Sequence, residues 1–339
     1  MALNENLRLY NAPEALAMGN AFAADVQGYI SDFYNPAALA KSRKRRWEVT
    51  PIDVEGIPSL GSIALNLAAH SMGINRLAST MGRNPGKYNY FSFSGVPGFS
   101  TRGFGAAFLG TYQYAGVSDG TNLDVDASET FGTSMGIASN FFGNAVKFGV
   151  AGKLLLRNQL KGNFAISSLS GDTAVSSLMK EGWAYGADVG MLVTVPAKYL
   201  PAIGVVWRDA LGTKFHASHV LNSHASGAPD TIPQAFDIAA SLHPILSREW
   251  RATIALELSD CSTINTAQPL LRHTHFGLKF ESEKSFYLWL GANQLYPGGG
   301  MGLRVKGGAL EVGTYAEDVG MPGTDQSDRR VFFRYTIGF

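Results

Sequence analysis

The chain has 339 residues, a net charge of +1, 16% charged residues and 11% aromatic residues. Such a small net charge argues against a nucleic-acid-binding protein, which needs a basic surface to neutralise phosphates. Cys261 is the only cysteine, so no disulfide can form within the chain. No stretch reaches the roughly 18–20 consecutive apolar residues of a spanning helix, but barrel strands need only about 9–11 alternating residues.

Residues 1–43 show no alternation of apolar and polar residues and are predicted to form a separate N-terminal segment. The stretches "APEALAMGNAFAAD" and "SDFYNPAALAKS" are rich in small apolar residues, as is typical of short helices. Asn35 is expected to cap a short helix that begins at Pro36, where a missing N–H costs nothing. The first residues lack the pattern of a signal peptide, so either the protein is not exported or this numbering omits that peptide. The strands that follow favour the second interpretation.

Residues 44–339 alternate between apolar and other side chains at many places. In "WAYGADVGMLVTV", for example, Trp183, Tyr185 and Val189 fall on one strand face and Asp188 on the other. Fourteen segments follow this pattern: 45–53, 87–95, 101–115, 125–140, 144–158, 182–196, 201–209, 231–243, 248–260, 271–281, 285–293, 300–306, 309–317 and 328–339. Short connections, including 96–100, alternate with longer loops, as in up-and-down outer-membrane barrels.

Ionisable residues avoid the apolar faces of these segments. Those predicted to line a lumen are Asp188, Arg208, Asp237, Arg251 and Glu257. A charge facing lipid at mid-membrane costs roughly 2–4 kcal/mol, so this segregation is expected when one face is in lipid. Their mixed signs favour ion pairs over a charge-selective pore. A soluble β-sandwich is the alternative, but aromatic residues such as Tyr112, Tyr114 and Trp250 near strand ends favour a membrane barrel.

The sequence therefore predicts an all-β fold. It consists of a single transmembrane antiparallel β-barrel of about 14 strands over residues 44–339, with residues 1–43 as a helical or irregular plug or as a periplasmic tail. Two short loop helices are also predicted. One, with Leu60, Ile63, Leu67, Ile74 and Leu77 on one face, is expected to cover its own barrel, with the membrane surface or a neighbouring copy as alternatives; the other is "AVSSLMKEG".

The chain ends in "VFFRYTIGF", which reads as the last strand. A terminal Phe339 preceded by apolar residues at alternate positions resembles the signal that barrel-assembly machinery recognises on outer-membrane proteins. That machinery is therefore an expected partner.

The stretch "MGNAFAADVQGYISDFYNPAALA", followed by the basic "KSRKRR", resembles the N-terminal hatch of the long-chain fatty-acid transporter family of outer-membrane barrels and of its PorV-like relatives. The resemblance implies an outer-membrane location, fourteen strands and a hatch inside the barrel. It also implies hydrophobic ligands, contacted by hatch residues Phe22, Phe33, Tyr34, Asn35, Pro36 and Leu39. The alternative for these residues is that they only pack the hatch.

Catalytic and metal sites are not predicted. "GTSMG" places Ser134 inside an alternating strand, whereas a nucleophile elbow needs a strand-to-helix turn. His216, His219 and His224 lie in one loop without cysteine or nearby carboxylates, so neither a metal nor another cofactor is expected.

The first functional hypothesis is a barrel that binds or passively transports lipids, fatty acids or other hydrophobic molecules past its hatch. The second is an abundant structural outer-membrane protein, alone or as a homo-oligomer, that transports nothing. A lipid hydrolase is the third and is disfavoured by the setting of Ser134. The expected partners are membrane lipids or lipopolysaccharide and hydrophobic small molecules.

Overall fold

The computed structural model describes residues 8–42, 45–57, 74, 78, 81–83, 85–264, 270–283, 285–320 and 326–338. Phe339 and the predicted boundary at residues 43 and 44 lie outside the described residues. Over the described part of the chain, no helix is both long enough and apolar enough to cross a membrane.

The described residues form sixteen strands joined in one antiparallel sheet, in which β16 pairs with β1. The strands are β1 (Arg46–Gly56), β2 (Tyr88–Gly95), β3 (Gly98–Thr101), β4 (Phe104–Ser118), β5 (Asn122–Phe141), β6 (Val146–Ala165), β7 (Lys180–Thr194), β8 (Ala202–Arg208), β9 (His216–Ala217), β10 (Ala235–Leu242), β11 (Trp250–Leu258), β12 (Thr274–Ser282), β13 (Phe286–Asn293), β14 (Tyr296–Val305), β15 (Gly308–Asp318) and β16 (Ser327–Gly338).

Within the described chain these elements make a closed antiparallel barrel of 14 strands. The count follows because β2 and β3 lie end to end between β1 and β4, and β9 only extends the loop side by pairing with β7. Each predicted strand segment falls mainly on one barrel strand. The predicted all-β barrel is therefore confirmed.

The prediction that residues 96–100 form a hairpin connection is wrong. The chain continues through β3 along the path of β2 and reverses only at Arg102 and Gly103. Pro97 lacks the N–H that a continuous ladder would need, which explains a break in the strand without a reversal. Gly103 has φ +72°, a left-handed conformation that glycine adopts without strain, so the tight turn forms there.

Strand length divides the barrel into two walls. The long-strand wall is β4–β7, in which β5 and β6 have 20 residues each. The short-strand wall is β8 and β10–β13, in which β8 has 7 residues and β10 has 8. Along both walls the outward side chains are mainly apolar and exposed, among them Phe108, Ile137, Leu154, Ile203 and Leu256.

The outward face of the long-strand wall is covered where it extends toward the longer loops. Ile74 and Met81 pack there with Val175 of a helix at Asp172–Leu178, which falls on the predicted "AVSSLMKEG" helix. Leu60, Ile63, Leu67 and Leu77 of the other predicted helix lie outside the described residues. Tyr114, predicted to face the membrane interface, is buried under this cover, and its hydroxyl donates to Met81 Sδ at 2.8 Å.

Residues 8–42, called the hatch segment below, lie inside the barrel. They contain helix α1 (Pro13–Ala17), helix α2 (Ser31–Tyr34) and a 3-10 helix (Pro36–Lys41). The largest buried apolar cluster joins hatch side chains to inward side chains of the wall. Its members include Leu16, Met18, Phe22, Tyr29 and Tyr34 from the hatch segment and Val96, Leu109, Trp289, Tyr315 and Phe332 from the strands. The core of this protein is therefore the contact between hatch and wall.

Candidate functional site

Asn35 organises the centre of the hatch segment. Its Oδ1 accepts a hydrogen bond from Ala37 N at 3.1 Å, and Pro36 is the first residue of the 3-10 helix that follows. This arrangement confirms the predicted cap. Asn35 Nδ2 also donates to the carbonyl oxygen of Ala23 at 3.1 Å, so one buried side chain holds two parts of the hatch segment together.

Lys279 on β12 forms ion pairs with two acids of the hatch. Its Nζ lies 2.7 Å from Glu14 Oε1 and 2.8 Å from Asp25 Oδ2. Burial alone would raise the pKa of Asp25, but the charges of Lys279, Lys41 and His243 outweigh it and lower the pKa to about 2. Asp25 is therefore ionised and paired.

Two further wall residues bind the same part of the hatch. Glu257 on β11 accepts hydrogen bonds from the backbone N–H groups of Phe22 and Ala23, each at 2.8 Å. His275 Nδ1 lies 2.9 Å from the carbonyl oxygen of Gly19, so this ring nitrogen carries the donated proton. The three wall residues Glu257, His275 and Lys279 are called the polar anchor below.

Tyr29 of the hatch lies against the break between β2 and β3. Its hydroxyl donates to the carbonyl oxygen of Val96 at 2.9 Å. Its ring occupies the space beside Gly98, where an added Cβ would lie 2.1 Å from Tyr29 Cδ2. Tyr29 therefore covers the inner side of the strand break, and no residue larger than glycine fits at position 98 unless the ring moves.

Asp32 on α2 is fully buried, and neither of its carboxylate oxygens has a hydrogen-bond partner among the described residues. The carboxylate lies directly against wall backbone, because a Cβ on Gly136 would be 2.3 Å from Asp32 Oδ1 and a Cβ on Gly105 would be 3.1 Å from it. Burial, assisted by the charge of Asp188, raises the pKa of Asp32 to about 7. The Ser134 side chain opposes this shift by lowering the pKa, but its effect is smaller.

The residues predicted to line the lumen fall into two groups. Asp188, Asp237 and Glu257 are buried inside the barrel, and Asp188 and Asp237 are paired with Lys153 and Arg208 respectively. Arg251 shares the strand face of Glu257 but lies at the end of β11, where its side chain is 64% exposed and pairs with Glu283 at 3.1 Å.

The predicted ligand-contacting residues lie in the hatch segment, where they pack against other hatch residues and the wall. Phe22 and Tyr34 meet edge to face at 5.1 Å between ring centroids, and Leu39 is buried. Phe33 is partly buried and contacts Tyr10 at 5.7 Å. Their role in binding a ligand remains a prediction.

The contacts of Asp32 and Tyr29 with the wall were not predicted from the sequence. The only available signal for Asp32 was that it is the one acidic residue in "SDFYNPAALAKS". For Lys279 the strand pattern placed the side chain inward, but nothing indicated which acids it would meet.

The outer surface of the long-strand wall carries an apolar depression of about 750 Å³ beside the strand break. Its lining includes Pro97, Phe108, Phe131, Leu154, Trp183 and Val220. Tyr29 and this depression thus lie on opposite sides of the wall at the same break.

Ser134 lies within β5 and not at a strand-to-helix turn. In the part of the chain that the structure describes, no three His, Cys, Asp or Glu side chains are grouped so that they could hold a metal ion.

The fold is shared with solved channels for hydrophobic molecules, although no family model and no curated protein matches the sequence. The CymD monoaromatic hydrocarbon channel is 11% identical with a TM-score of 0.57, and the match covers 96% of this chain and 97% of that one. The toluene transporter TodX of Pseudomonas putida is 8% identical with a TM-score of 0.51, and the match covers 98% of both chains.

At these identities the similarity establishes the fold and not the role of any residue. The chain has the barrel fold of these two channels, and the fold that the resemblance implied is confirmed. The neighbouring proteins are transport channels and not enzymes.

Proposed function

We propose that this protein is an outer-membrane barrel that passes hydrophobic molecules past the hatch segment. The observation that carries the proposal is the position of Tyr29. A single hatch side chain closes the strand break from inside, and the outer side of that break opens onto an apolar depression. The names of the two channels that share the fold, a monoaromatic hydrocarbon channel and a toluene transporter, support the same function.

In this proposal a ligand enters from the loop side and leaves through the wall into the membrane once Tyr29 has moved. The opposite end of the lumen is less suited to an apolar molecule, because the space there is lined by charged groups, among them Arg46, Glu48, Glu281 and Arg304. Moving an apolar ligand through such a lining would require these groups to lose water or partners. A lateral route keeps the ligand in apolar surroundings.

The predicted division into a hatch over residues 1–43 and a barrel over residues 44–339 fits this function. Phe22, Phe33, Tyr34 and Leu39 supply apolar surface that a ligand would contact when the hatch shifts, while Asn35 and Pro36 hold the turn between the two hatch parts. Outer-membrane lipids or lipopolysaccharide would contact the outward apolar side chains. Recognition of Phe339 by the assembly machinery is part of the same proposal.

Uptake of radiolabelled toluene by cells with an outer leaflet of lipopolysaccharide tests this function. Cells that express the protein should take up the label several-fold faster than cells that lack it. Tyr29→Ala should increase the rate further, because it removes the cover of the strand break. Tyr10→Ala is the matched control, since it also removes a buried hatch tyrosine but leaves Tyr29 over the strand break.

Heat-modifiable migration first shows that the barrel is folded. If expressing and non-expressing cells then take up toluene equally, transport of this probe is contradicted. If Tyr29→Ala also left uptake unchanged, the structural role would be favoured. A parallel measurement with a labelled long-chain fatty acid distinguishes aromatic hydrocarbons from fatty acids as the ligand class.

A further inference from the structure

Two buried acids of the hatch segment have opposite surroundings. Asp25 is paired with Lys279 at 2.8 Å, whereas both carboxylate oxygens of Asp32 lack a partner among the described residues. An ionised carboxylate without a partner inside a protein is costly, whereas the neutral acid is tolerated far better. The hatch can therefore hold Asp25 as an anion, but it holds Asp32 easily only as a neutral acid.

Among the described residues, the elements that pack on Asp32 offer it no positive charge. The 3-10 helix contributes Leu39, β4 contributes Gly105 and β5 contributes Ser134 and Gly136, all without charge. The charged group of β7 that acts on Asp32 is Asp188, another acid. The nearby cation is already in use, because Lys153 Nζ of β6 lies 2.8 Å from both Asp188 Oδ1 and Asp209 Oδ1.

The wall also leaves Asp32 no room to adjust. Its carboxylate occupies the space where a side chain at position 136 would be. Leu39, which is completely buried, borders the same glycine and also limits the space around the carboxylate. Movement of α2 away from β4 and β5 is the remaining way for the carboxylate to reach water.

We propose that Asp32 is a proton-dependent latch of the hatch: α2 stays docked on β4 and β5 while Asp32 is protonated, and undocks when Asp32 ionises. The inference rests on the proposed function only where it links undocking to passage of a ligand. The docking equilibrium itself can be measured without any transport.

The direction of the pH effect follows from the two states of the carboxyl group. In the docked hatch its pKa is raised from 3.8 to about 7, so the docked state binds the proton more tightly than the undocked state does. Docking is therefore fully favoured below about pH 4, weakens as the pH rises toward 7 and changes little above it. Between pH 5 and pH 8 the undocked population should rise on the order of 10- to 100-fold.

A spin label at the end of the hatch measures undocking directly. The label is attached to Ser42→Cys in a Cys261→Ser background, and its mobility is recorded in detergent or lipid at pH 5 and pH 8. The parent should show a mobile fraction that increases with pH. Asp32→Asn, which cannot ionise, should stay immobile at both pH values.

Asp25→Asn is the matched control, because it removes the paired acid of the same segment. It should raise the mobile fraction at both pH values and preserve the step between them. If Asp32→Asn fails to fold, Asp188→Asn provides the test, since removal of the neighbouring charge should move the midpoint of the step to lower pH. A parent without a pH step, or a step that Asp32→Asn or Asp188→Asn leaves unchanged, would overturn the latch.

Toluene uptake at the same two pH values separates the latch from the proposed function. A mobility step without uptake at either pH supports the latch and contradicts transport of this probe. Uptake without a mobility step supports transport and overturns the latch.

Discussion

Residues 14–25 of the hatch segment meet β11 and β12 through charged groups that have partners. Residues 29–34 meet the strand break through one phenol hydrogen bond, and they meet β4 and β5 through Asp32, whose carboxylate has no hydrogen-bond partner among the described residues. Breaking a buried ion pair leaves an uncompensated charge and is strongly destabilising. Releasing an acid that lacks a partner relieves a cost instead. In the proposed latch, the polar anchor is therefore the part of the hatch that stays docked while α2 moves.

The largest effect on docking of the hatch should come from breaking the polar anchor. Lys279→Met removes the buried cation that pairs with Glu14 and Asp25. The loss of these ion pairs should destabilise the docked hatch by about 3–5 kcal/mol. The spin label at position 42 should then be mobile at pH 5 as well as pH 8. Lys161→Met is the control, because Lys161 is 50% exposed in its pair with Asp126 and its loss should cost about 1 kcal/mol or less. Equal effects of the two variants would argue against the polar anchor.

A smaller effect is expected when the anchor keeps its shape and loses its charge. Glu257→Gln retains one acceptor oxygen for the N–H groups of Phe22 and Ala23, and we expect it to cost about 1.5–3 kcal/mol. Amide hydrogen exchange at residues 22 and 23 should become faster, while exchange of the strand amides stays unchanged. Unchanged exchange at both hatch amides would show that Glu257 does not hold this region.

A smaller effect still is expected at the Asn35–Pro36 turn, which connects the two parts of the hatch segment. The double change Asn35→Ala and Pro36→Ala removes a helix cap that is worth roughly 0.5–2 kcal/mol. The barrel should remain folded and heat-modifiable, while toluene uptake changes several-fold because the two hatch parts lose their common support. Asn89→Ala is the control, since Asn89 donates to Lys87 O, which lies outside the hatch. Identical uptake by the parent, the double variant and Asn89→Ala would show that the Asn35–Pro36 turn does not govern passage.

The smallest effect is expected from the hydrogen bond of Tyr29 at the strand break. Tyr29→Phe removes the hydrogen bond to Val96 O but keeps the ring beside Gly98, so the cost should be about 0.5–1.5 kcal/mol. Uptake should rise less than for Tyr29→Ala. If the two variants behave alike, the hydrogen bond and not the ring closes the strand break.

The strands could be predicted from the sequence because their signal is local. Alternation along "WAYGADVGMLVTV" reports which side chains face lipid, and the same rule held around the barrel. The break at Pro97 was misread as a turn, since a residue without an N–H is compatible with either a turn or an interrupted strand.

The contacts between hatch and wall could not be predicted in the same way. Lys279 and Asp25 are 254 positions apart in the sequence, and nothing local pairs them. Asp32 has no hydrogen-bond partner among the described residues and lies against Gly105 and Gly136 of two different strands, which is a property of the closed barrel and not of any one segment. The cap at Asn35 was predictable because all of its parts lie within three consecutive residues.

The unequal heights of the two walls have a consequence for the surrounding bilayer. At about 3.3 Å per residue and a tilt of roughly 40°, a strand of 20 residues such as β5 rises about 50 Å, whereas the 7 residues of β8 rise only about 18 Å. The apolar band of such barrels is about 25 Å tall. The short-strand wall is therefore in hydrophobic mismatch, and the exposed Leu200 and Ile245 in its turns extend the apolar surface below the strands. We expect the bilayer to thin on that side alone, so that it is thinner beside β8 than beside β5.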